Sequence, residues 1–317
     1  MKTFYYILCS ALLFASCEQE VTIDLPPGQS QIVVEGFIES GALPTVILTR
    51  SIPYYDPVNS QTLGNIFVTD ASVRIRVGED TIALTRFCLS EIPDSLREQA
   101  QAQFGLPSDF INFCVFVGTD IRLIGAPNTT YELLVETEGK TLTSTTTIPK
   151  PIALDSLWFK VDGDRDSLGF IFAQLSDPSA EKNSYRWFAR RINSYTFGES
   201  AGQVKDPDFI APFNSTFDDE YFNGLTFPFA YNRGRLPESE KEDDNNIEAG
   251  YFKRGDTVVI KLGTIDERVY FYFRDFYYSI GSTGSPFAAP SNVRSNVNGG
   301  LGVWAGYGVA FDTLVIQ

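Results

Sequence analysis

Short runs in which apolar and polar residues alternate dominate the first half of the chain. Residues 71–77 (ASVRIRV) alternate strictly, with branched aliphatic side chains on one side and two arginines on the other. Because side chains of a strand point alternately to its two faces, this pattern predicts a strand with one buried face. Turn residues 78–80 then lead into residues 81–84, which predicts a hairpin. Similar runs predict further strands at residues 31–38, 45–49, 113–118, 131–137 and 140–148.

One segment, residues 88–112, interrupts this strand pattern. Residues 95–98 have the sequence of a capping box and precede good helix formers, so a short helix is predicted between two strands. Cys88 and Cys114 flank this helix and form a possible disulfide. A bridge closing about 26 residues would stabilise the fold by roughly 3–4 kcal/mol in the chain-entropy model. The alternative is a pair of buried free thiols, since both cysteines lie beside phenylalanine in apolar runs.

The second half of the chain is also strand-like, with one helical exception near its end. In residues 264–280, Val269, Phe273 and Tyr277 recur at helical spacing, and Thr264 with Glu267 supplies a capping box. This pattern predicts a helix. Residues 199–250 are expected to be irregular because proline and asparagine break up their aromatic residues. Strands are predicted at residues 154–161, 168–175, 185–193, 257–262, 301–309 and 314–316.

The predicted architecture is mostly β, with two domains. Pro149 and Pro151 favour an extended connector and therefore mark the boundary. Short strands separated by turns predict an immunoglobulin-like β-sandwich over residues 31–150. Residues 151–317 are predicted to form a second β-rich domain with one or two short helices. No internal repeat relates the two halves.

The first 17 residues, MKTFYYILCSALLFASC, predict a signal peptide of the lipoprotein kind. The apolar run is too short for a permanent membrane helix, which needs about 20 residues. Small residues precede Cys17, so cleavage would remove residues 1–16 and leave Cys17 to carry a diacylglyceryl group, with acyl chains such as palmitate. Residues 17–30 then form a lipidated tether. The alternative is an ordinary cleaved secretion signal with a coincidental cysteine.

The net charge and the amino-acid composition make several classes of function improbable. The net charge of −15 gives no electrostatic reason to bind nucleic acid or anionic lipid, so membrane attachment would come from the N-terminal lipid. Histidine is absent, which removes the commonest general base and a usual zinc and haem ligand. We therefore expect no cofactor and no enzymatic activity, although carboxylate-based glycan processing survives this test.

One acidic motif has the spacing that begins many calcium loops. Asp162, Asp164 and Asp166 alternate along the chain and are weak candidates for a metal site. The rest of the calcium pattern fails, because Ser167 replaces the glycine and Ala173 the closing glutamate. A solvated hairpin tip is the preferred interpretation. The acidic run at residues 238–244 is likewise interpreted as a solvated loop.

Two aromatic stretches are candidates for stacking on sugars, namely residues 54–55 and residues 222–231. Core packing is the preferred interpretation of both, given their strand context. Residues 292–304 (NVRSNVNGGLGVW) are rich in asparagine and glycine, which permit unusual backbone conformations. A tight structural turn is favoured there over a ligand-facing turn.

Several segments together carry a family resemblance. A lipid-type cysteine is followed by IDLP at residues 23–26, IVVEG at 32–36 and TTTIP at 145–149, and late in the chain stand SPF, PSNV and SNVNGGLG. In this order they resemble the Bacteroidota lipoprotein family known as domain of unknown function 4249. The resemblance implies an outer-membrane lipoprotein, often encoded beside TonB-dependent transporters. It defines no catalytic residues.

The leading functional hypothesis is a non-enzymatic lipoprotein, anchored to the outer membrane, that assists a TonB-dependent transporter or binds a ligand for it. The alternative is a carbohydrate-binding or carboxylate-based glycan-processing surface lipoprotein. A third possibility is a structural or adhesion module. Whether the protein faces the periplasm or the cell surface is left open by the sequence.

Overall fold

The computed structural model describes residues 29–53, 59–103, 112–163, 165–196, 201–234, 250–282 and 292–317. The fold is mostly β, which confirms the predicted class. The strands of the first half are β1 Ile32–Glu39, β2 Thr45–Arg50, β3 Ser72–Val77, β4 Asp80–Ala83, β5 Thr85–Cys88, β6 Cys114–Val117, β7 Thr130–Thr137 and β8 Lys140–Thr147. Those of the second half are β9 Ser156–Val161, β10 Leu168–Ser176, β11 Ser184–Arg191, β12 Thr216–Asp218, β13 Thr226–Tyr231, β14 Phe252–Lys253, β15 Thr257–Ile265, β16 Val297–Asn298 and β17 Leu301–Val315.

Three α-helices accompany these strands in the described residues. They are α1 Ser60–Gly64, α2 Asp94–Gln103 and α3 Glu267–Ser282. Short 3₁₀ turns lie at Leu89–Glu91 and Ile121–Leu123. Helix α2 confirms the helix predicted between two strands, and α3 confirms the helix predicted near the end of the chain. No helix in the described ranges has both the length and the apolar character needed to cross a membrane.

Two predictions about the second half were wrong. Residues 199–250 are not wholly irregular, because β12 and β13 lie within them and pair with β11 and β10. Residues 301–316 do not form two strands but the single strand β17. Pairing with β15 continues through residues 310–313, between the two predicted strands, so tertiary pairing decides the extent of β17.

The strands form three sheets. The largest has eight strands in the order β12-β11-β15-β17-β1-β2-β6-β5. A five-stranded sheet has the order β16-β8-β7-β3-β4, and in a four-stranded sheet β10 pairs with β9, β13 and β14. The smaller sheets pack on different halves of the large one, which produces two sandwiches that share a sheet.

The first sandwich is built around a buried tryptophan. Trp304 is fully buried, and its Nε1 donates a hydrogen bond of 3.0 Å to the carbonyl of Tyr131 on the facing sheet. Gly36 lies beside Trp304 in the register of β1 and β17. A Cβ at Gly36 would lie 2.8 Å from the indole ring, so only glycine leaves room for this side chain. Aliphatic residues such as Val34 and Leu133 complete the core.

Strand β17 joins the two sandwiches. Its first part, residues 301–307, pairs in parallel with β1, and residues 308–315 pair antiparallel with β15. Gly302 makes the close approach to β1 possible. Its φ is +101°, and a Cβ there would lie 1.9 Å from the carbonyl oxygen of Val34. The C-terminal strand therefore contributes residues to the first core, which the proposed division at residue 150 does not include. That division, like the immunoglobulin likeness, stays a prediction.

The second sandwich has a more aromatic core. Trp187 of β11 is fully buried, and its ring lies 5.6 Å from that of Phe229 and 5.7 Å from that of Tyr231. Ile171 of β10 and Ile260 of β15 pack in the same cluster. Packing between sheets therefore accounts for part of the high phenylalanine and tyrosine content of the sequence.

Helix α3 covers the outer face of the large sheet, and its cap differs from the predicted one. Asp266 rather than Thr264 caps the helix, because its carboxylate accepts a hydrogen bond of 2.9 Å from the amide of Val269. Thr264 still belongs to β15, whose pairing with β17 extends that strand past the predicted end. The helix begins later as a result.

An arginine beneath α3 links the helix to the sheet. The guanidinium of Arg186 lies 3.5 Å from the ring centroid of Phe273 on the helix and 4.9 Å from that of Phe188 on its own strand. It also donates hydrogen bonds to the hydroxyls of Tyr307 (2.8 Å) and Tyr277 (3.3 Å). Such cation–π contacts stabilise most strongly where the cation is desolvated, so Arg186 fixes the position of α3.

Candidate functional site

The structure describes the two disulfide candidates but not the lipidation candidate. Cys17 lies outside the described residues, so its lipidation stays a prediction. Cys88 and Cys114 are disulfide-bonded in the structure and face each other directly in the register of β5 and β6. The bridge closes a loop that contains the inserted helix α2, because Cys88 ends β5 and Cys114 begins β6. Its role is therefore to close an insertion at the edge of the sheet.

The aspartate triplet lies in the hairpin between β9 and β10. Asp164 lies outside the described residues, so the geometry of the triplet as a metal site is not defined. Asp162 faces Arg165, with 3.4 Å between carboxylate and guanidinium. Within the described part of the chain, no group of three or more potential metal ligands forms.

The aromatic stretch at residues 222–231 packs between the sheets, as the preferred interpretation predicted. Phe227, Phe229 and Tyr231 point from β13 toward the second core. Burial raises the pKa of Tyr231, and the nearby Tyr277 adds to this shift. The other stretch, residues 54–55, lies outside the described residues.

The asparagine- and glycine-rich segment forms a structural turn, which confirms that interpretation. The side chain of Asn296 accepts a hydrogen bond of 2.9 Å from the amide of Trp304 and donates one of 2.8 Å to its carbonyl. Ser295 donates a further hydrogen bond of 2.8 Å to the carbonyl of Gly302. These bonds hold β16 against the start of β17, so the segment serves the first sandwich.

The most promising site is an aromatic strip on the outer face of the four-stranded sheet. It consists of four half-buried side chains, those of Trp158, Phe170, Phe172 and Tyr251. Trp158 and Phe172 are cross-strand neighbours whose ring centroids lie 5.7 Å apart with an interplanar angle of 21°. Phe170 and Tyr251 lie 5.3 Å apart. Within the part of the chain that the structure describes, no further layer packs on these rings. The strip therefore presents apolar ring surface to solvent, which is unusual for a sheet face without a covering layer.

Two cations lie over the aromatic strip. The ammonium of Lys160 is 4.6 Å from the ring centroid of Phe172, and the guanidinium of Arg165 is 4.5 Å from that of Tyr251. Both residues are exposed, so their charged groups are accessible from solvent as well as lying over the rings. A ligand at this face would meet ring surface and positive charge together.

A pocket adjoins one end of the strip. Its cavity of about 480 Å³ is within the range of small-molecule sites, which is about 300–1,000 Å³. Phe170 and Tyr251 belong to both the strip and the pocket, so the two form one continuous surface. The remaining described residues of the pocket are Ala211, Phe213, Asn232, Gly234 and Gly250.

Arg233 joins the two chain segments that line the pocket, through both its backbone and its side chain. Its amide donates a hydrogen bond of 2.9 Å to the carbonyl of Gly250, and its Nε donates one of 3.1 Å to the carbonyl of Tyr251. Its guanidinium also lies 3.5 Å from the carboxylate of Asp206. Arg233 therefore couples the pocket to the interior of the second sandwich.

Asp206 belongs to a buried network of charges. It is fully buried and accepts three hydrogen bonds from Arg191, from the backbone amide (2.8 Å), Nε (3.0 Å) and the terminal nitrogen (2.8 Å). Burial acts to lower the pKa of Arg191, but its hydrogen bonds and attraction to Asp206 outweigh this and raise the pKa above its ordinary value. A second ion pair, Lys205 with the buried Asp256, lies alongside at 2.6 Å. These ion pairs neutralise the charged side chains that the loops place in the protein interior.

One comparison with known proteins identifies the family. A family model with the description "Domain of unknown function (DUF4249)" matches residues 18–312, which is nearly the whole of the 317-residue chain. The chain belongs to this family. The resemblance drawn from the sequence motifs is thereby confirmed, while the bacterial group that it implied stays a prediction. No protein with a curated description matches the chain significantly.

The description of this family names no ligand, so the role of the strip is inferred from its chemistry. The sequence nevertheless contains a signal for the strip, which the predictions from the sequence did not include. In β10, the aromatic residues Phe170 and Phe172 alternate with core residues such as Ile171, so both faces of the strand are apolar. Trp158 repeats this pattern in β9. A solvated strand is expected to alternate apolar with polar residues, so two apolar faces indicate either a covered face or a binding face.

Proposed function

We propose that this protein is a non-enzymatic lipoprotein of the outer membrane that binds a ligand through the aromatic strip and its pocket, as an accessory of a TonB-dependent transporter. The observation that carries the ligand-binding part is the continuous apolar surface formed by Trp158, Phe172, Phe170 and Tyr251 with the adjoining cavity. The membrane and transporter parts rest on the signal sequence and on what the family resemblance implies.

The chemistry of the surface favours binding over catalysis. The described residues of the pocket supply aromatic rings, an amide and glycine backbone, which recognise a ligand but offer no acid or base to react with it. Rigid sheet strands carry the rings, so little conformational entropy is lost when a ligand stacks on them. These features suit a protein that captures a molecule and releases it unchanged.

Carbohydrate binding is the second candidate and is favoured by the same strip. Aromatic side chains present ring faces on which the apolar face of a sugar can stack. This candidate is compatible with an accessory role, since a captured saccharide can be passed to a transporter. The two candidates differ in whether a β-barrel partner is required.

Binding to the strip is tested with a panel of neutral and acidic oligosaccharides. The measured quantity is the retention of each oligosaccharide by the chain without its signal peptide. Wild-type protein is expected to retain at least one oligosaccharide. The double substitution of Trp158→Ala and Phe172→Ala is expected to abolish retention. Phe311→Ala is a matched control, because Phe311 is an exposed aromatic residue on the other sheet of the same sandwich. Equal retention by wild type and the double variant would remove the strip as the site.

The anchoring and partner claims need separate tests. Cys17→Ser is expected to move the protein from the membrane fraction to the soluble fraction. Co-purification of the tagged wild-type protein in mild detergent is expected to recover a β-barrel transporter. Recovery of no such partner would count against the accessory role while leaving ligand binding intact.

A further inference from the structure

The four strands that carry the aromatic strip have an unusual charge composition. In a chain with 40 acidic and 25 basic residues, the sequences of β9, β10, β13 and β14 contain no aspartate or glutamate and two lysines. Lys160 lies on the outer face beside Phe172, and Lys253 is paired with Leu168 at the edge of the same face. The other two sheets both carry carboxylates on their strands, for example Glu132 and Glu35.

This composition gives the four strands that carry the strip a positive charge of their own on an acidic protein. A net charge of −15 repels anions in general, and this repulsion is weaker beside strands that carry no carboxylate and where the ammonium of Lys160 lies over a ring of the strip. Arg165 adds a third cation, although Asp162 at 3.4 Å partly neutralises it. Charge and ring surface therefore favour a ligand that combines an anionic group with an apolar face.

We infer that the ligand of the aromatic strip is an acidic saccharide, one whose sugar ring stacks on Trp158 and Phe172 while its carboxylate pairs with Lys160. This inference rests on the ligand-binding function proposed above. The register supports it, because Lys160 is two residues beyond Trp158 on the same face of β9 and Nζ lies over the ring of Phe172. One sugar unit can therefore reach both the rings and the ammonium group.

An anionic membrane surface is the competing occupant and fits the geometry less well. Aromatic residues that enter a membrane interface are expected to protrude from the protein, whereas the four rings of the strip are half-buried. The strip also leads into a concave pocket of about 480 Å³, which suits a discrete ligand rather than a flat bilayer.

Isothermal titration calorimetry tests the inference with the chain that lacks its signal peptide. The probes are uronate oligosaccharides with α and β linkages, neutral hexose oligosaccharides of the same length, and vesicles of phosphatidylglycerol or phosphatidylcholine. Acidic oligosaccharides are expected to bind at least about tenfold more tightly than neutral ones, since a charge-assisted hydrogen bond contributes that much. Their affinity is expected to fall as salt concentration rises.

Two variants separate the contributions of charge and ring surface. Lys160→Gln is expected to remove the preference for acidic over neutral oligosaccharides, and Trp158→Ala to abolish both affinities. Lys140→Gln is the matched control, because Lys140 is an exposed lysine on the five-stranded sheet. Circular dichroism checks that each variant is folded.

The outcomes distinguish this inference from the proposed function. Equal binding of neutral and acidic oligosaccharides that depends on Trp158 would overturn the acidic class and leave the strip as a ligand site. Binding of no oligosaccharide would overturn the inference. Binding that is selective for phosphatidylglycerol vesicles and lost in Lys160→Gln would overturn it in favour of a membrane contact.

Discussion

Replacing Asp206 by alanine would test whether the buried charge network holds the second sandwich and its pocket together. Asp206 is fully buried, accepts three hydrogen bonds from Arg191 and lies 3.5 Å from Arg233. Without it, the guanidinium groups of Arg191 and Arg233 would both lose the carboxylate that they contact. Removing one partner of a buried ion pair destabilises a protein by about 3–5 kcal/mol, because an uncompensated charge stays buried.

This loss is large compared with the stability of most proteins, which is about 5–15 kcal/mol. Urea denaturation followed by circular dichroism measures it. With a denaturant slope of about 3 kcal/mol per molar urea, the unfolding midpoint is expected to fall by about 1–1.7 M. Binding to the strip is expected to weaken as well, since Arg233 also holds the carbonyls of Gly250 and Tyr251 at the pocket.

The matched control is Asp208→Ala. Asp208 is exposed and lies two residues along the same loop, so its removal is expected to change stability by less than about 0.5 kcal/mol. If Asp206→Ala were as stable as Asp208→Ala, the network would contribute nothing to the fold and the reasoning would be refuted. Asp206→Asn keeps the side-chain volume, so a similar loss in that variant would assign the effect to charge.

Three further changes test other parts of the structure. Replacing Cys88 and Cys114 by serine is expected to lower the free energy of unfolding by about 3.5 kcal/mol for the 26-residue loop, measured by urea denaturation; no difference from oxidised wild type would contradict this. Gly263→Ala places a Cβ 2.8 Å from the ring of Tyr307 and is expected to destabilise by about 1–3 kcal/mol in thermal unfolding, and a wild-type Tm would argue against the clash. The hydrogen bond from Arg294 lowers the pKa of Asp275 in the folded protein. The ionised carboxylate therefore stabilises the fold at pH values above the pKa of the unfolded state, and this stabilisation is lost as the pH falls through the pKa of the folded state. Asp275→Asn is therefore expected to be less stable than wild type at neutral pH and equally stable in strong acid; a gap that persisted in acid would contradict the linkage.

Alternation along the chain was sufficient to predict strands such as β1, β3 and β7, because each of them buries alternate residues. Residues 71–77 show this clearly, and β3 occupies nearly the same positions. The helix α3 was also predictable from its 3.6-residue spacing. Its cap was not, because the end of β15 depends on pairing with β17, about 50 residues later in the chain. The residues around Thr264 do not reveal that β17 is the pairing partner.

The aromatic strip could not be predicted from the sequence for a related reason. Sequence shows that Phe170 and Phe172 share one face of a strand, but the packing of sheets decides whether that face is covered. The pairing of Trp158 with Phe172 requires the register of the β9–β10 hairpin. The buried pairing of Asp206 with Arg191 and Arg233 is non-local as well, so nothing in the sequence distinguished these charges from solvated ones.

Tryptophan fluorescence offers the most direct test of the central claim that the strip is a ligand site. Of the three tryptophans, Trp187 and Trp304 are fully buried, so quenching by acrylamide reports mainly on the half-buried Trp158. A saturating uronate oligosaccharide is predicted to protect wild-type protein from quenching, and Trp158→Phe is predicted to lose this response. Binding that calorimetry detects without any protection of Trp158 would contradict the account.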